Sequence, residues 1–195
     1  LVGSEMCIRA SLWAGPYLAQ VHSLSPVSVG NILSVAAVGF LIGPPLIALW
    51  ADRWGSELKV LFCMAAFNFA MLSFIMWGPV SLSAWQLYVL CFIAPVGGQA
   101  AGLIMTISRD TFPKEVATSA MGFLNFMPVM GGSIFQQIIG AIMTRAAAAG
   151  DISPQGQYAM AYIPAWLWTI LAVTLCLLLI RLQKKKARGQ IGEHK

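Results

Sequence analysis

The residues with chemical potential in this chain are polar groups set inside apolar runs. Arg9 lies within the run Met6–Val21, Gln99 follows Pro95 and Gly97-Gly98, and Asn125, Gln136 and Gln137 stud the run Val116–Thr144. A cation in an apolar run is costly: it faces a cavity or an anion, or its stem snorkels to an interface. Asn125 and Gln136 are 11 residues apart, about three helical turns, and so share a face that is either a cavity lining or an interhelical hydrogen-bond seam. Pro95 and the two glycines predict a loosened helix that exposes carbonyls beside Gln99. Asn31, Ser34 and Asn68 fit the seam role.

Catalytic and metal chemistry find little footing. Cys7, Cys63, Cys91 and Cys176 are scattered without a Cys-x-x-Cys pair, and His22 and His194 fall in a loop and a tail, so neither metal nor cofactor is expected. Gly132-Ser133 is a weak nucleophile elbow with no histidine base, and no catalytic residue is assigned. The seven acids, Glu5, Asp52, Glu57, Asp110, Glu115, Asp151 and Glu193, all sit at segment ends, in loops or in tails. No buried carboxylate is therefore expected to relay protons within these residues.

The elements that must position these groups are six apolar stretches: Met6–Val21, Val27–Trp50, Leu58–Trp77, Trp85–Ser108, Val116–Thr144 and Tyr158–Ile180. Most reach the ~20 residues a helix needs to cross a bilayer. The 195 residues are 58% hydrophobic and 10% charged, with mean hydropathy +0.76, which excludes an ordinary soluble domain. Lipid offers backbone amides no partners and no stretch alternates like a barrel strand, so the expected class is an all-α membrane protein with six transmembrane helices. Residues 1–181 form the bundle in this reading and residues 182–195 a basic tail. The first stretch is short and begins without an initiator Met, so the chain is expected to be part of a longer protein, cut within its first visible helix.

Charge gives the orientation. Arg53 and Lys59, Arg109 and Lys114, and then Arg181, Lys184, Lys185, Lys186, Arg188 and Lys195 place ten of the twelve basic residues on one side. By the positive-inside rule that side is cytoplasmic, and an even number of spans puts both ends there. The net charge of +5 thus reports topology, not nucleic-acid binding, and Lys184–Lys186 meets anionic lipid headgroups. An internal repeat adds architecture: Gly30, Gly39 and Ala48 share a nine-residue spacing with Gly122, Gly131 and Gly140 at an offset of 92, where Arg53 also aligns with Arg145. Three spans are an odd number, so a repeat of three must be inverted across the membrane, giving a 3+3 inverted repeat.

Leu12-Trp13-Ala14-Gly15-Pro16-Tyr17-Leu18, Leu24-Ser25-Pro26, a Gly-rich helix and Ala51-Asp52-Arg53-Trp54-Gly55 resemble the seventh and eighth helices and intervening loop of a major facilitator superfamily transporter. Arg109, Pro113, Gly122, Asn125, Gly131-Gly132, Gln136 and Gly140 are similar to the following pattern in sugar-phosphate-permease-like and nitrate-permease-like members. The resemblance implies the C-terminal six-helix half of a twelve-helix major facilitator fold, whose partner is an N-terminal six-helix half upstream. It places Trp13 and Tyr17 about one and two turns beyond Arg9, where they would stack on or hydrogen-bond a solute. In the loop motif, Asp52 would cap the next helical turn or salt-bridge to a neighbouring helix, Arg53 would anchor the cytoplasmic face, and Gly55 would permit the tight turn. Ala48 and Ser56-Glu57 depart from the glycine and basic pair usual in the family.

The expectation is a secondary transporter in the cytoplasmic (inner) membrane that moves a small anionic solute by alternating access. Arg9, Trp13, Tyr17, Gln99, Asn125 and Gln136 would touch the solute, and Asp52, Arg53 and Gly55 would form the conformational loop motif. The alternative is a non-transporting six-helix interaction protein or a degenerate transporter remnant. Loss of the basic pair favours the remnant; half a cavity with unpaired polar groups favours the transporter.

Overall fold

Apolar helices, most of them with Ser or Gly at their ends, make up the architecture of the described residues. The structure, a computed structural model, describes residues 13–79, 81–98, 100–150 and 152–193; side chains at 100, 101, 110, 111, 114 and 184–193 are outside the description. Arg9 and Gln99 lie outside the described residues. Helix α1 covers 13–21, followed by α2 (Pro26–Trp54), α3 (Glu57–Trp77), α4 (Ala84–Gly97), α5 (Ala100–Thr111), α6 (Lys114–Ala149) and α7 (Pro154–Glu193). Five spans among the described residues are long and apolar enough to cross a membrane, with α4 and α5 together making one of them.

Local chemistry sets the helix ends. Ser25 precedes Pro26 and accepts from the Ser28 amide through Oγ at 3.3 Å, starting α2. Gly55 closes α2 in the left-handed region at φ 58, donating its N–H to the Ala51 and Asp52 carbonyls. The expected tight turn at Gly55 is therefore present. The N-cap position of α3 belongs to Ser56, so Asp52 ends one helix and does not cap the next. Gly150 terminates α6 in the same left-handed fashion, at φ 74. α7 continues through the basic residues as far as Glu193, beyond the expected end of the last span at Ile180.

Helix pairing is tightest between α2 and α4 and between α3 and α7, with α6 lying along α7. In lipid, apolar burial does little to drive helices together, so close approach and hydrogen bonds matter more. At Gly39 an added Cβ would overlap the Phe92 carbonyl, which lets α2 and α4 cross almost backbone to backbone. Gly131, its partner at the 92-residue offset, meets nothing within 4 Å. The matched glycines thus occupy unlike environments. Two apolar cores result: Ile47, Ala51, Val60, Met64 and Leu103 join α2, α3 and α5, while Leu18, Val29, Ile32 and Leu87 join α1, α2 and α4.

α7 is fastened by polar contacts. Trp166 donates from Nε1 to Ser73 Oγ at 2.8 Å, Gln155 donates to the Gly78 carbonyl at 3.0 Å, and the Tyr158 hydroxyl donates to Gln20 Oε1 at 3.1 Å. The sequence suggests an interfacial aromatic belt at Tyr158 and Tyr162. Tyr158 is only 1% exposed and packs edge-on against Tyr17 at 5.3 Å, so it belongs to the interior. α7 turns this face towards α1 and α3.

Candidate functional site

A cavity of about 370 Å³ lies between α1, α2, α3, α4 and α7. Its walls are chiefly apolar, with Leu33 and Phe40 from α2, Leu72 from α3 and Leu87 and Leu90 from α4. The residues with polar side chains in its lining are Tyr17, His22, Asn68, Cys91 and Tyr162. No Lys or Arg stands among its described lining residues. The lining extends from Pro79 and Leu82, in the connection between α3 and α4, down to Asn68 and Gly98.

Its floor is built by a helix break. Pro95 has no N–H and cannot donate to the carbonyl one turn earlier, and Gly98 ends α4 by donating to the carbonyls of Pro95 and Val96. α4 stops at Gly97, and the span resumes as α5 at Ala100. Asn68 on α3 reaches across: its Nδ2 donates to the Gly97 carbonyl and, at 3.1 Å, to the Met64 carbonyl of its own helix. Both amide hydrogens are thereby used, and the amide orientation is set by two carbonyls that can only accept. Oδ1 holds no hydrogen bond among the described residues, in a side chain that lines the cavity. The approach of α3 to α4 depends on Gly97, where a Cβ would overlap the Phe67 ring.

Higher in the cavity the polar groups are aromatic. The Tyr17 hydroxyl donates to the Ile75 carbonyl at a long 3.5 Å, and its ring meets His22 at 5.5 Å and Tyr158 at 5.3 Å, both edge-on. Tyr162 comes from α7, one turn beyond Tyr158. This arrangement offers an apolar slot with Tyr17 and Tyr162 towards one end and Asn68 at the other.

Of the expected site residues that are described, Tyr17 alone lines this cavity. Tyr17 faces the cavity, whereas the Trp13 ring packs against α6, 3.8 Å from where a Cβ on Gly140 would stand. Gln136 is one turn before Gly140 on the same helix, so Trp13 and Gln136 belong to the α1/α6 contact region. Asn125 lies about 16 Å away along α6. Trp13 Nε1 and Asn125 Oδ1 are both buried without a hydrogen-bond partner among the described residues. Neither Asn125 nor Gln136 lines the cavity.

Sequence reading missed His22, Cys91 and Tyr162 as lining groups and gave Asn68 a seam role only. Asn68 does make the expected interhelical bond; what it lacked was a signal that its oxygen would be left over. Asp52, Arg53 and Gly55 lie at the end of α2 and do not line the cavity. Among the described residues, no group of His, Cys, Asp and Glu is gathered so as to hold a metal ion.

No curated protein and no solved structure matches the chain. A family model described as Major Facilitator Superfamily matches residues 3–136, from ahead of α1 through Gln136 of α6. With that match over more than half its length, and with five apolar helical spans among its described residues, the chain is a multi-pass membrane protein of the major facilitator superfamily.

Proposed function

We propose that these helices form one six-span half of a secondary transporter that moves a small anionic solute across the cytoplasmic membrane by alternating access. The observation that carries the reading is the interrupted fourth span: in a chain of a transporter family, α4 ends at Gly97 and α5 begins at Ala100, beside a cavity. A discontinuous helix can tilt its two parts independently and gives access to one side of the membrane at a time. The proposed frame is a 3+3 inverted repeat that works against a second six-helix half, with solute held at their junction. Both ends of this segment are cytoplasmic, and anionic lipids meet the basic tail. Arg9 supplies the anionic preference, because a cation within an apolar run is best retained opposite a negative charge.

The test is uptake by the full native protein in membrane vesicles, comparing a panel of small carboxylates and phosphates with neutral solutes of equal size. Saturable uptake of an anion, abolished by Arg9→Gln at unchanged membrane abundance, is the expected result. Equal anion uptake by the variant would overturn the anionic reading. Failure of every solute to move would favour the non-transporting alternative.

A further inference from the structure

We propose that the cavity between α1, α2, α3, α4 and α7 is a ligand site of its own, taking a ring-sized apolar molecule that donates one hydrogen bond from a hydroxyl to Asn68 Oδ1. The site lies inside the bundle, away from the Trp13–Gly140 contact and from Asn125 and Gln136, and the inference does not rest on the transport reading.

Three observations carry it. The first is volume: about 370 Å³ falls within the range of small-molecule pockets, and an apolar cavity of roughly 150 Å³ already holds a benzene ring. The second is the asymmetry of Asn68. With both Nδ2 hydrogens committed to the Met64 and Gly97 carbonyls, the amide cannot turn over to present a donor without facing its oxygen towards two other oxygens. The cavity floor is thus a fixed acceptor, and it selects a donor. A carboxylate or phosphate oxygen would meet it unfavourably, and no described Lys or Arg in the lining compensates.

The third is shape. Ile75, whose carbonyl receives the Tyr17 hydroxyl, is seven residues from Asn68 on α3, which is about 10 Å of helix. Two fused rings fill that length, with their hydroxyl at the Asn68 end and apolar edges against Leu72, Leu90 and Ala94. An unhydroxylated ring system of the same size would bury the same area while leaving Oδ1 without a partner.

The full native chain in lipid nanodiscs, titrated with 4-fluoro-1-naphthol and with 1-fluoronaphthalene and followed by fluorine NMR line broadening relative to empty nanodiscs, tests the site. The expected result is saturable broadening with the naphthol bound about tenfold more tightly than the naphthalene, the effect of one net hydrogen bond. Asn68→Leu should bring the two affinities together, and Ala94→Phe, which fills the slot from α4 and leaves Asn68 itself in place, should remove saturable binding of both. Equal affinity of the two compounds for the native chain, or broadening no greater than in empty nanodiscs, would overturn the proposal. So would binding that survives Ala94→Phe. The compound pair and Ala94→Phe decide the matter even if Asn68→Leu fails to fold.

Discussion

Asn68 of α3 donates to the carbonyl of Gly97, the residue at which α4 stops, and so joins a continuous helix to the interrupted one. The same glycine gives the Phe67 ring room to lie against α4. A hydrogen bond and a close approach therefore meet at a single position, and both depend on its having no side chain.

Gly97→Ala should lower stability by about 1 to 3 kcal/mol, because the added methyl must displace the Phe67 ring and push α3 from α4. Gly122→Ala on α6 meets nothing within 4 Å and should leave stability unchanged or slightly raised. Thermal denaturation of each variant in the same detergent, read as loss of the monodisperse peak, checks the contrast. Equal midpoints would show that α3 and α4 are not in contact at Gly97.

Gly39→Ala should be more damaging than Gly97→Ala. Its methyl would overlap the Phe92 carbonyl, which is backbone and cannot rotate aside as a ring can. The expected outcome is a larger fall in the same denaturation midpoint, or failure to accumulate in the membrane.

The Tyr158 hydroxyl and Gln20 Oε1 should be energetically coupled across α7 and the end of α1. Tyr158→Phe, Gln20→Leu and the double variant form a cycle whose coupling is expected near 0.6 kcal/mol, ordinary for a hydrogen bond between membrane helices. Strict additivity would mean that this bond is not formed in the bilayer.

Trp166→Phe should weaken the α3/α7 pairing modestly. It removes the Nε1 donor to Ser73 while keeping an aromatic ring beside Phe69 and Trp77, whose centroids lie 5.4 and 5.3 Å away. Trp166→Ala should cost several-fold more in the same denaturation assay, since it deletes the ring contacts as well.

Orientation has its own test. A cysteine placed by Ser56→Cys in a Cys-free background, between Arg53 and Lys59, should react with a membrane-impermeant thiol reagent in inside-out vesicles and not in intact cells. Ser81→Cys, in the connection between α3 and α4, should show the opposite pattern. Reversal of the two would overturn the cytoplasmic placement of the basic loops.

What sequence could disclose was the part of the fold that each segment decides alone. Hydropathy marks a span because lipid rejects charge along any single helix, and Ser25-Pro26, Gly55 and Gly150 mark helix ends because capping and left-handed backbone are properties of a few adjacent residues. The stop at Gly97 falls where Pro95, Gly97 and Gly98 cluster, whereas Pro44, Pro45, Pro128 and Pro164 are carried inside continuous helices, so the cluster and not a lone proline is the legible signal. The destinations of side chains were not. Trp13 and Tyr17 are one turn apart on α1, yet Trp13 packs on α6 and Tyr17 enters the cavity. Tyr158 reads as an interfacial residue and is buried, while Asn68 reads as a seam and leaves an oxygen for the cavity. Each outcome depends on which helices stand next to which, and in lipid that choice rests on a few small residues and hydrogen bonds far apart in the chain. The sequence by itself determined that this is a helical membrane protein and where its helices start and stop; only the tertiary structure, by crossing α2 with α4 and α3 with α7, decided which polar groups are consumed between helices.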